Sequence, residues 1–414
     1  WCWRRLCRMW PKKFGRSYGD GLIEKYKPDD AEKVFIALGS VCGTIKEAID
    51  ELRQKDKKIG LIRIKTFRPF PEQQLKNAVK NRVVQCERPI GFLLSGGLDS
   101  SILLSMTLQM NLIQKPSVFT FGFDLNAPDV KSAKIVVQYL RKKYGADCID
   151  WHLLIMNITD GIAALPAVIN ALETYDTTTI RASTPMYLIS RYIKMNTDVR
   201  VLISGEGSDE LFGGYLYNMY APNEEAFKSD VIRSLEELYL YDCLRADRVT
   251  ANWGLEVRCP FLDEKLVEYV VGCNKLKKPI NTTKELLRDT INNKDLLPNS
   301  ILWGRKEAFS DAVGLQWLES IAAHANNVIS DDTNVNFSPY IEPKSNTEKL
   351  FQIIFIGLFQ NRWHLLTKYW MPNQDWINTN GESSARALSI YKQLDDKQLN
   401  DKQLDDKQLD DKKE

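Results

Sequence analysis

Apolar and polar positions fall into two regimes along this chain. Near the start, Val34 to Leu38 are all apolar, Gly39 and Gly43 bracket a turn, and Ile45, Ala48, Ile49 and Leu52 recur at helical spacing behind Thr44. The pattern predicts a buried-type strand, then a helix capped by Thr44, then a second strand over Ile59 to Ile64 that closes at Arg68-Pro69-Phe70-Pro71. This is one βαβ unit of about forty residues, long enough for a crossover but too small to bury both faces of a sheet by itself. From about Leu75 to Tyr391 short apolar runs alternate with longer helical stretches, which predicts an α/β domain with a parallel sheet and a helical C-terminal part. Ile90 to Leu94 and Val199 to Ile203 read as strands. Pro166 to Leu172, Met186 to Met195, Ala226 to Tyr241 and Thr347 to Leu366 read as helices.

The end of the chain breaks both patterns, because KQLDD-type units follow one another from Lys392 to Glu414. On a helix, Leu394, Leu399, Leu404 and Leu409 would each step round by about 140° and make no apolar stripe, and a period of five also defeats strand alternation. A disordered or loosely helical low-complexity tail is expected over 392–414.

Composition narrows the function classes. With 414 residues and 44% hydrophobic content, two to three packed domains are expected and global disorder is excluded. Fifty-six Lys and Arg against 54 Asp and Glu leave a formal charge of +2, so a polybasic nucleic-acid or membrane binder is not indicated. Partners are expected to be small molecules or other proteins, with no nucleic acid and no membrane. Arg4, Arg5 and Arg8 interrupt the opening residues where a secretory signal would need an apolar core, and the first residue is Trp, which reads as a fragment or a processed product. The eight cysteines form no C-x-x-C pair and only three histidines accompany them, so reduced thiols in a cytoplasmic setting are the expectation. Residues 1–13 carry no assignable pattern. Trp303, Trp317, Trp363 and Trp370 read as core or interface anchors.

Two loops carry the candidate chemistry. The strand ending at Leu94 runs into Ser95-Gly96-Gly97-Leu98-Asp99-Ser100-Ser101 and then a helix. Its glycines let backbone approach a polyphosphate, and N–H groups, the helix N-terminus and the hydroxyls of Ser95 and Ser100 offer donors. Taken alone, the loop also fits a plain glycine turn with Asp99 in the first helical turn. No Gly-Lys-Ser/Thr follows, so this is not a Walker A loop. The second strand ends in Ser204-Gly205-Glu206-Gly207-Ser208-Asp209-Glu210, where three carboxylates in five residues suit a site for Mg²⁺ and a cationic or protonated group better than a packed turn.

These segments, SGGLDSS and SGEGSDELFGGY, together with YDTTTIRASTPMYLISR, YDCLRADR, GLEVRCPFLD, RKEAFSDAVG and KYWMP, occur in one order that resembles the synthetase domain of asparagine synthetase over about residues 75–391. The resemblance implies an ATP pyrophosphatase (PP-loop) fold and an ATP-dependent carbon–nitrogen ligase. Aspartate would become asparagine through β-aspartyl-AMP, with AMP and pyrophosphate released. By the same resemblance Leu94, Ser95, Gly96, Gly97, Asp99, Ser100, Phe121, Ser204 and Gly205 bind ATP. Glu206, Arg245 and Lys306 are catalytic, Thr178 and Thr179 bind substrate, and Asp99 and Asp209 hold Mg²⁺. Aspartate, ATP and ammonia are the implied partners, with a homodimer as the candidate assembly. The chain departs from the family in reading LNAPDV around Asp129 and in carrying Cys259 within GLEVRCP. The family's glutamine-hydrolysing domain is also not recognisable in it, Cys2 lacking the segments that would make it that domain's nucleophile. Ammonia is therefore the expected nucleophile.

Upstream, YKPDDAEKVFIALGS, GTIKEAIDELR and KIGLIRIKTFRPFP resemble an α/β stretch of pyruvate:ferredoxin oxidoreductase over about residues 14–74, without that family's cofactor-holding segments. Two rival functions remain: a β-lactam-synthetase-like adenylating cyclase, against which RKEAF and TTTIRASTPMY follow the asparagine pattern, and a catalytically incomplete fusion or oxidoreductase fragment.

Overall fold

The structure is a computed structural model that describes residues 23–38, 41–64, 71–272, 276–292, 294–304, 313–314, 316–330, 335–366 and 368–377. Lys306, Cys2 and the 392–414 tail lie outside the described residues. The chain divides into two compact units, with the boundary between Gln73 and Gln74.

In the first unit, strands β1 (Ile23–Tyr26), β2 (Lys33–Leu38) and β3 (Ile59–Ile64) form a sheet of order β1-β3-β2, with helix α1 (Val41–Arg53) crossing between the parallel pair β2 and β3. The βαβ unit is as the periodicity predicts. Strand β1, antiparallel to β3, is an addition that the polar run IEKY does not advertise. The helix starts at Val41, so Gly43 and Thr44 lie inside it and Thr44 is not the cap. Cys42, Ile49 and Leu61 make a small core, while Phe35 and Ile36 stay 51% and 69% exposed. One helix cannot cover two faces of a sheet.

The second unit opens with α2 (Pro71–Val84) and is built on five parallel strands: β4 (Ile90–Leu93), β5 (Ser117–Gly122), β6 (Asp150–Ile155), β7 (Val201–Ile203) and β8 (Glu256–Arg258), in the order β6-β5-β4-β7-β8. Alternation along the strands sends Phe92, Val118 and Ile203 into one core and Phe119 and Leu202 into the other. The first core is closed by α2, α3 (Leu98–Gln109) and α4 (Pro128–Tyr144); the second by α5 (Ile158–Leu172) and α6 (Thr177–Asn196) together with later helices. Because β4 is followed outward by β5 and β6 on one side and by β7 and β8 on the other, the connections leave its end in opposite directions. That reversal opens a crevice between the carboxyl ends of β4 and β7, where ligands of open α/β sheets bind. Both motif loops begin there.

Two helices are longer than the periodicity predicts, for a common reason. The helices read as starting at Pro166 and Met186 begin earlier, so that Pro166 and Pro185 sit inside α5 and α6 respectively. Proline at 185 removes the N–H that would bond the carbonyl of Arg181. The Trp317 indole N–H takes that carbonyl instead at 3.0 Å. Trp317 is fully buried and stacks on Phe123 at 4.6 Å, so the kink site is sealed by an aromatic pair.

Beyond β7 the chain adds α7 (Ser208–Phe212), α8 (Glu224–Glu237), α9 (Asp242–Ala251), α10 (Glu264–Val271), α11 (Glu285–Ile291), α12 (Asn299–Leu302), α13 (Trp317–Val328) and α14 (Asn346–Phe359). The stretches expected to be helical to Tyr241 and Leu366 finish instead in short 3₁₀ turns, Leu238–Leu240 and Trp363–Leu365.

The β4 exit is fixed from its neighbour. Leu94 N–H donates to Phe119 O at 2.8 Å and Thr120 Oγ1 donates to Leu94 O at 2.8 Å. Gly96 follows with φ +80°, and a Cβ there would lie 2.1 Å from the backbone nitrogen of Ala133. Gly96→Ala is therefore expected to destabilise the chain by more than the roughly 1–3 kcal/mol that a left-handed non-glycine residue costs, since helix backbone cannot step aside. Denaturant unfolding of the variant against the wild type measures this.

Candidate active site

The crevice is a cleft of about 220 Å³. Its wall includes Leu94, Ser95, Asp99, Ser100, Phe121, Thr178, Thr179, Ser204, Gly205, Glu206, Asp209 and Arg245, so twelve residues singled out from sequence come together although they span positions 94 to 245. Gly96 and Gly97 lie in the same loop without lining the cleft, and the placement of Lys306 is outside the described residues. Trp370, read from sequence as an anchor, is part of the cleft wall. Trp317 and Trp363 are core residues, and Trp303 is 43% exposed.

The glycine-serine loop after β4 is internally braced: Gly97 N–H donates to Ser95 Oγ at 3.2 Å, and Ser95 Oγ lies 3.2 Å from Ser100 Oγ. The two motif loops are tied to each other. Ser208 Oγ donates to Asp99 Oδ1 at 2.7 Å, and the Lys284 ammonium reaches Asp99 Oδ2 at 2.6 Å and Asp209 Oδ1 at 2.9 Å. Lys284 is 2% exposed. No motif points to it, because its neighbours NTT and ELLRDT read as an ordinary capped helix start.

A second charged group faces the same space. Arg245 on α9 uses Nη2 to contact Glu206 Oε2 at 2.7 Å and Asp242 Oδ1 at 2.7 Å. Burial pushes the Glu206 carboxyl above its ordinary range; Arg245 pulls it back, and Asp242 and Asp209 push it up again. Burial works against the charge of Arg245, but Glu206 and Asp242 outweigh it and hold the guanidinium charged. Glu210, buried and hydrogen-bonded by the Tyr215 hydroxyl, is pushed up to about 8, first by burial and then by the Asp242 and Asp209 charges.

Thr178 and Thr179 do not precede a helix, as the sequence suggests; they form the first turn of α6. Its cap is Asp176, fully buried, whose Oδ1 accepts the Thr179 N–H at 2.7 Å and whose Oδ2 accepts the Trp370 N–H at 2.8 Å. Trp370 in turn packs on Tyr215 at 5.3 Å. One carboxylate thus joins the threonine turn to the C-terminal segment that walls the cleft. Asp176 stands beside the named threonines in YDTTTIR, where an acid two residues ahead of a threonine pair is the sequence signal of an N-cap.

The charge states give a pH prediction. A glutamate whose folded pKa is raised to about 8 binds its proton more tightly folded than unfolded. Its contribution to stability is fully present below the ordinary glutamate range and is lost as pH rises through about 8. Glu210→Gln keeps the hydrogen bond from Tyr215 but cannot ionise. The variant is expected to gain on the wild type by at least about 1 kcal/mol between pH 5 and pH 8, since each tenfold change in proton affinity between the folded and unfolded chain is worth about 1.4 kcal/mol. Parallel denaturation curves at both pH values test this; a constant difference would contradict the raised pKa of Glu210.

Comparison with known proteins places this architecture. The family model for asparagine synthase matches residues 72–229 and 219–371. The asparagine synthetase [glutamine-hydrolyzing] of Cricetulus griseus is 41% identical over 328 residues, covering 76% of this chain and 56% of that protein. The Homo sapiens protein of the same name is 41% identical over 329 residues, with the same shares covered. The probable asparagine synthetase [glutamine-hydrolyzing] of Acanthamoeba polyphaga mimivirus is 40% identical over 306 residues, covering 72% of this chain and 54% of that protein. The chain spans about half the length of the curated relatives it matches. With most of its second unit matched by one family model, and relatives at this identity along three quarters of its length, the chain belongs to the asparagine synthase family.

Proposed function

We propose that this chain is a ligase that makes asparagine from aspartate, ATP and ammonia, through β-aspartyl-AMP, with AMP and pyrophosphate as the other products. The observation that carries the reading is the meeting, in one cleft, of the glycine-serine loop after β4 with the Glu206–Arg245 pair after β7. The loop residues Leu94, Ser95, Gly96, Gly97 and Ser100 would cradle the phosphates, with Ser204 and Gly205 against the nucleotide and Phe121 against the base. Thr178 and Thr179 would orient aspartate so that its side-chain carboxylate attacks the α-phosphorus and pyrophosphate leaves.

Asp99 and Asp209 are the residues that would hold Mg²⁺. Both carboxylates line the cleft and share a single ammonium partner, an all-oxygen pair of the kind that binds a hard cation while phosphates and water complete its shell. When bound, the ion would neutralise charge on the leaving pyrophosphate. Among the chain's own residues, Arg245 is held charged beside the reacting groups and would steady the phosphorane-like charge, the role also proposed for Lys306. Glu206 is suited to take a proton from the attacking ammonia, because a buried carboxylate with a raised pKa is a stronger base than one in water.

The first unit is proposed to derive from the α/β stretch of pyruvate:ferredoxin oxidoreductase that it resembles; the parallel β2-α1-β3 arrangement supports this, and no cofactor is assigned to it. Among the described residues no helix is long and apolar enough to cross a membrane, and the five described cysteines are unpaired, which suits the proposed cytoplasmic setting.

Incubating the chain with ATP, Mg²⁺, aspartate and ammonium is expected to yield AMP, pyrophosphate and asparagine in equal amounts, separated by chromatography. ADP and phosphate as the main products would overturn the adenylation chemistry. Glu206→Gln is expected to bind ATP normally while amide synthesis falls at least about 10²-fold, the usual loss for a general base. With glutamine as sole nitrogen donor, this polypeptide is expected to release neither asparagine nor glutamate above background, whereas with ammonium salts the rate rises with pH as the neutral nucleophile accumulates.

A further inference from the structure

Lys284 contacts both of the carboxylates proposed above to hold Mg²⁺. Its ammonium lies 2.6 Å from Asp99 Oδ2 and 2.9 Å from Asp209 Oδ1, while the other Asp99 oxygen takes the Ser208 hydroxyl at 2.7 Å. Both oxygens of Asp99 are therefore engaged. Asp99 and Asp209 line the cleft; Lys284 does not, and its side chain is 2% exposed.

The chain goes to some length to keep this lysine in place. Lys284 has φ +58° and ψ +32°, a left-handed conformation that costs a non-glycine residue and persists only when its surroundings demand it. It sits directly before α11, whose Arg288 is buried and donates Nε to Thr283 O at 2.7 Å and Nη2 to Gly304 O at 3.1 Å, bracing the turn that carries the lysine. From the other side Gly214 gives way. A Cβ there would lie 2.0 Å from Asp209 Oδ1 and 2.2 Å from Lys284 Cε, so only glycine allows the lysine stem and the carboxylate to pass so closely.

We propose that Lys284 is a built-in counter-ion that keeps the Asp99–Asp209 pair closed to a free divalent cation, so that metal enters only together with a polyphosphate. This rests on the reading of Asp99 and Asp209 as the metal carboxylates. The exchange is one of charges only. A cation bound to those oxygens and an ammonium within about 3 Å of them repel each other, so each weakens the other's hold on the pair. A nucleotide triphosphate resolves the conflict, bringing the metal's remaining oxygen ligands and giving the displaced ammonium an anionic partner. Without a polyphosphate, the lysine bridges two carboxylates and offsets one of their two charges. Metal and polyphosphate binding are thereby coupled through one residue that touches both carboxylates.

The test is Mn²⁺ binding to the full chain, read from the electron paramagnetic resonance signal of the free ion, without nucleotide and then with pyrophosphate. In the wild type, pyrophosphate is expected to tighten Mn²⁺ binding by about tenfold or more beyond its own affinity for the ion, the size of a typical coupling between two ligands. Lys284→Met, which keeps the stem and removes the charge, is expected to bind Mn²⁺ about tenfold more tightly than wild type without any polyphosphate. Lys284→Arg stays closed, and adding Asp209→Asn to Lys284→Met abolishes the gain. Equal Mn²⁺ affinity in wild type and Lys284→Met, with both folded by circular dichroism, would overturn the proposal. Should Lys284→Met fail to fold, a wild type that binds Mn²⁺ equally well with and without pyrophosphate would overturn it as well. Formation of ADP in place of AMP by the wild type would sink the adenylation reading and leave the metal result standing.

Discussion

Two carboxylates from loops 110 positions apart share one buried ammonium, and that contact organises the second unit. Asp99 begins α3 after β4; Asp209 begins α7 after β7. Their strands are neighbours in the sheet, so the loops are delivered side by side, and without Lys284 two anions would meet with little water to screen them. The requirement propagates outward. It places α11 against the loop pair, demands glycine at 214, and sets Arg288 to anchor the turn before α11. A buried ion cluster of this kind adds little net stability, since desolvation cancels most of the attraction. What it fixes is position.

The second pillar is Asp176. Its two oxygens serve N–H groups on segments nearly two hundred residues apart, one at the cleft-facing turn of α6 and the other at Trp370. An asparagine cap would have to take both N–H groups on its single carbonyl oxygen, whereas the carboxylate gives each donor an oxygen of its own. Trp370 then carries the constraint to Tyr215, and Tyr215 to Glu210 through its hydroxyl. The cleft is thus a ring of short-range contacts, held from beneath by an ammonium and from the C-terminal side by a carboxylate.

Sequence carries much of this and misses the rest for physical reasons. The glycine-serine loop and the SGEGSDE loop are legible because local chemistry fixes their form: a strand must end, a tight turn needs glycine, and adjacent acids are too costly to place without purpose. The parallel β2-α1-β3 unit is legible from periodicity. Helix starts expected at Pro166 and Met186 fall too late because proline usually marks a first turn, whereas at Pro185 it is Trp317, more than a hundred residues away, that takes up the carbonyl left by the missing N–H. Lys284 is invisible on the same principle. A lone lysine before a helix is ordinary in sequence, and only the tertiary meeting with Asp99 and Asp209 makes it a site residue. Asp242 and Glu210 are present in the quoted motifs and pair locally, Asp242 with Arg245 one helical turn on and Glu210 with Tyr215 in the same loop; what depends on how α9 meets the β7 loop is the contact of Arg245 with Glu206.

The charge balance of the cleft bears on how the proposed substrates would enter. Among the described lining residues, six are carboxylic acids (Asp99, Asp129, Glu206, Asp209, Glu210 and Asp242) and two are guanidinium-bearing, Arg181 and Arg245. With Glu210 pushed up to about 8, one acid is neutral near pH 7, and Lys284 offsets another from outside the wall. The remainder is still negative, which by itself would repel a nucleotide triphosphate and attract cations. An acidic cleft is therefore matched to ATP only when the nucleotide brings positive charge with it, and it favours ammonium once the polyphosphate has left. In the proposed reaction Glu206 would accept the proton that ammonium must lose, because the burial that makes its charge costly also raises its affinity for a proton. The same excess of carboxylates would thus serve both half-reactions: it makes the first depend on a metal-laden substrate and concentrates the nucleophile for the second.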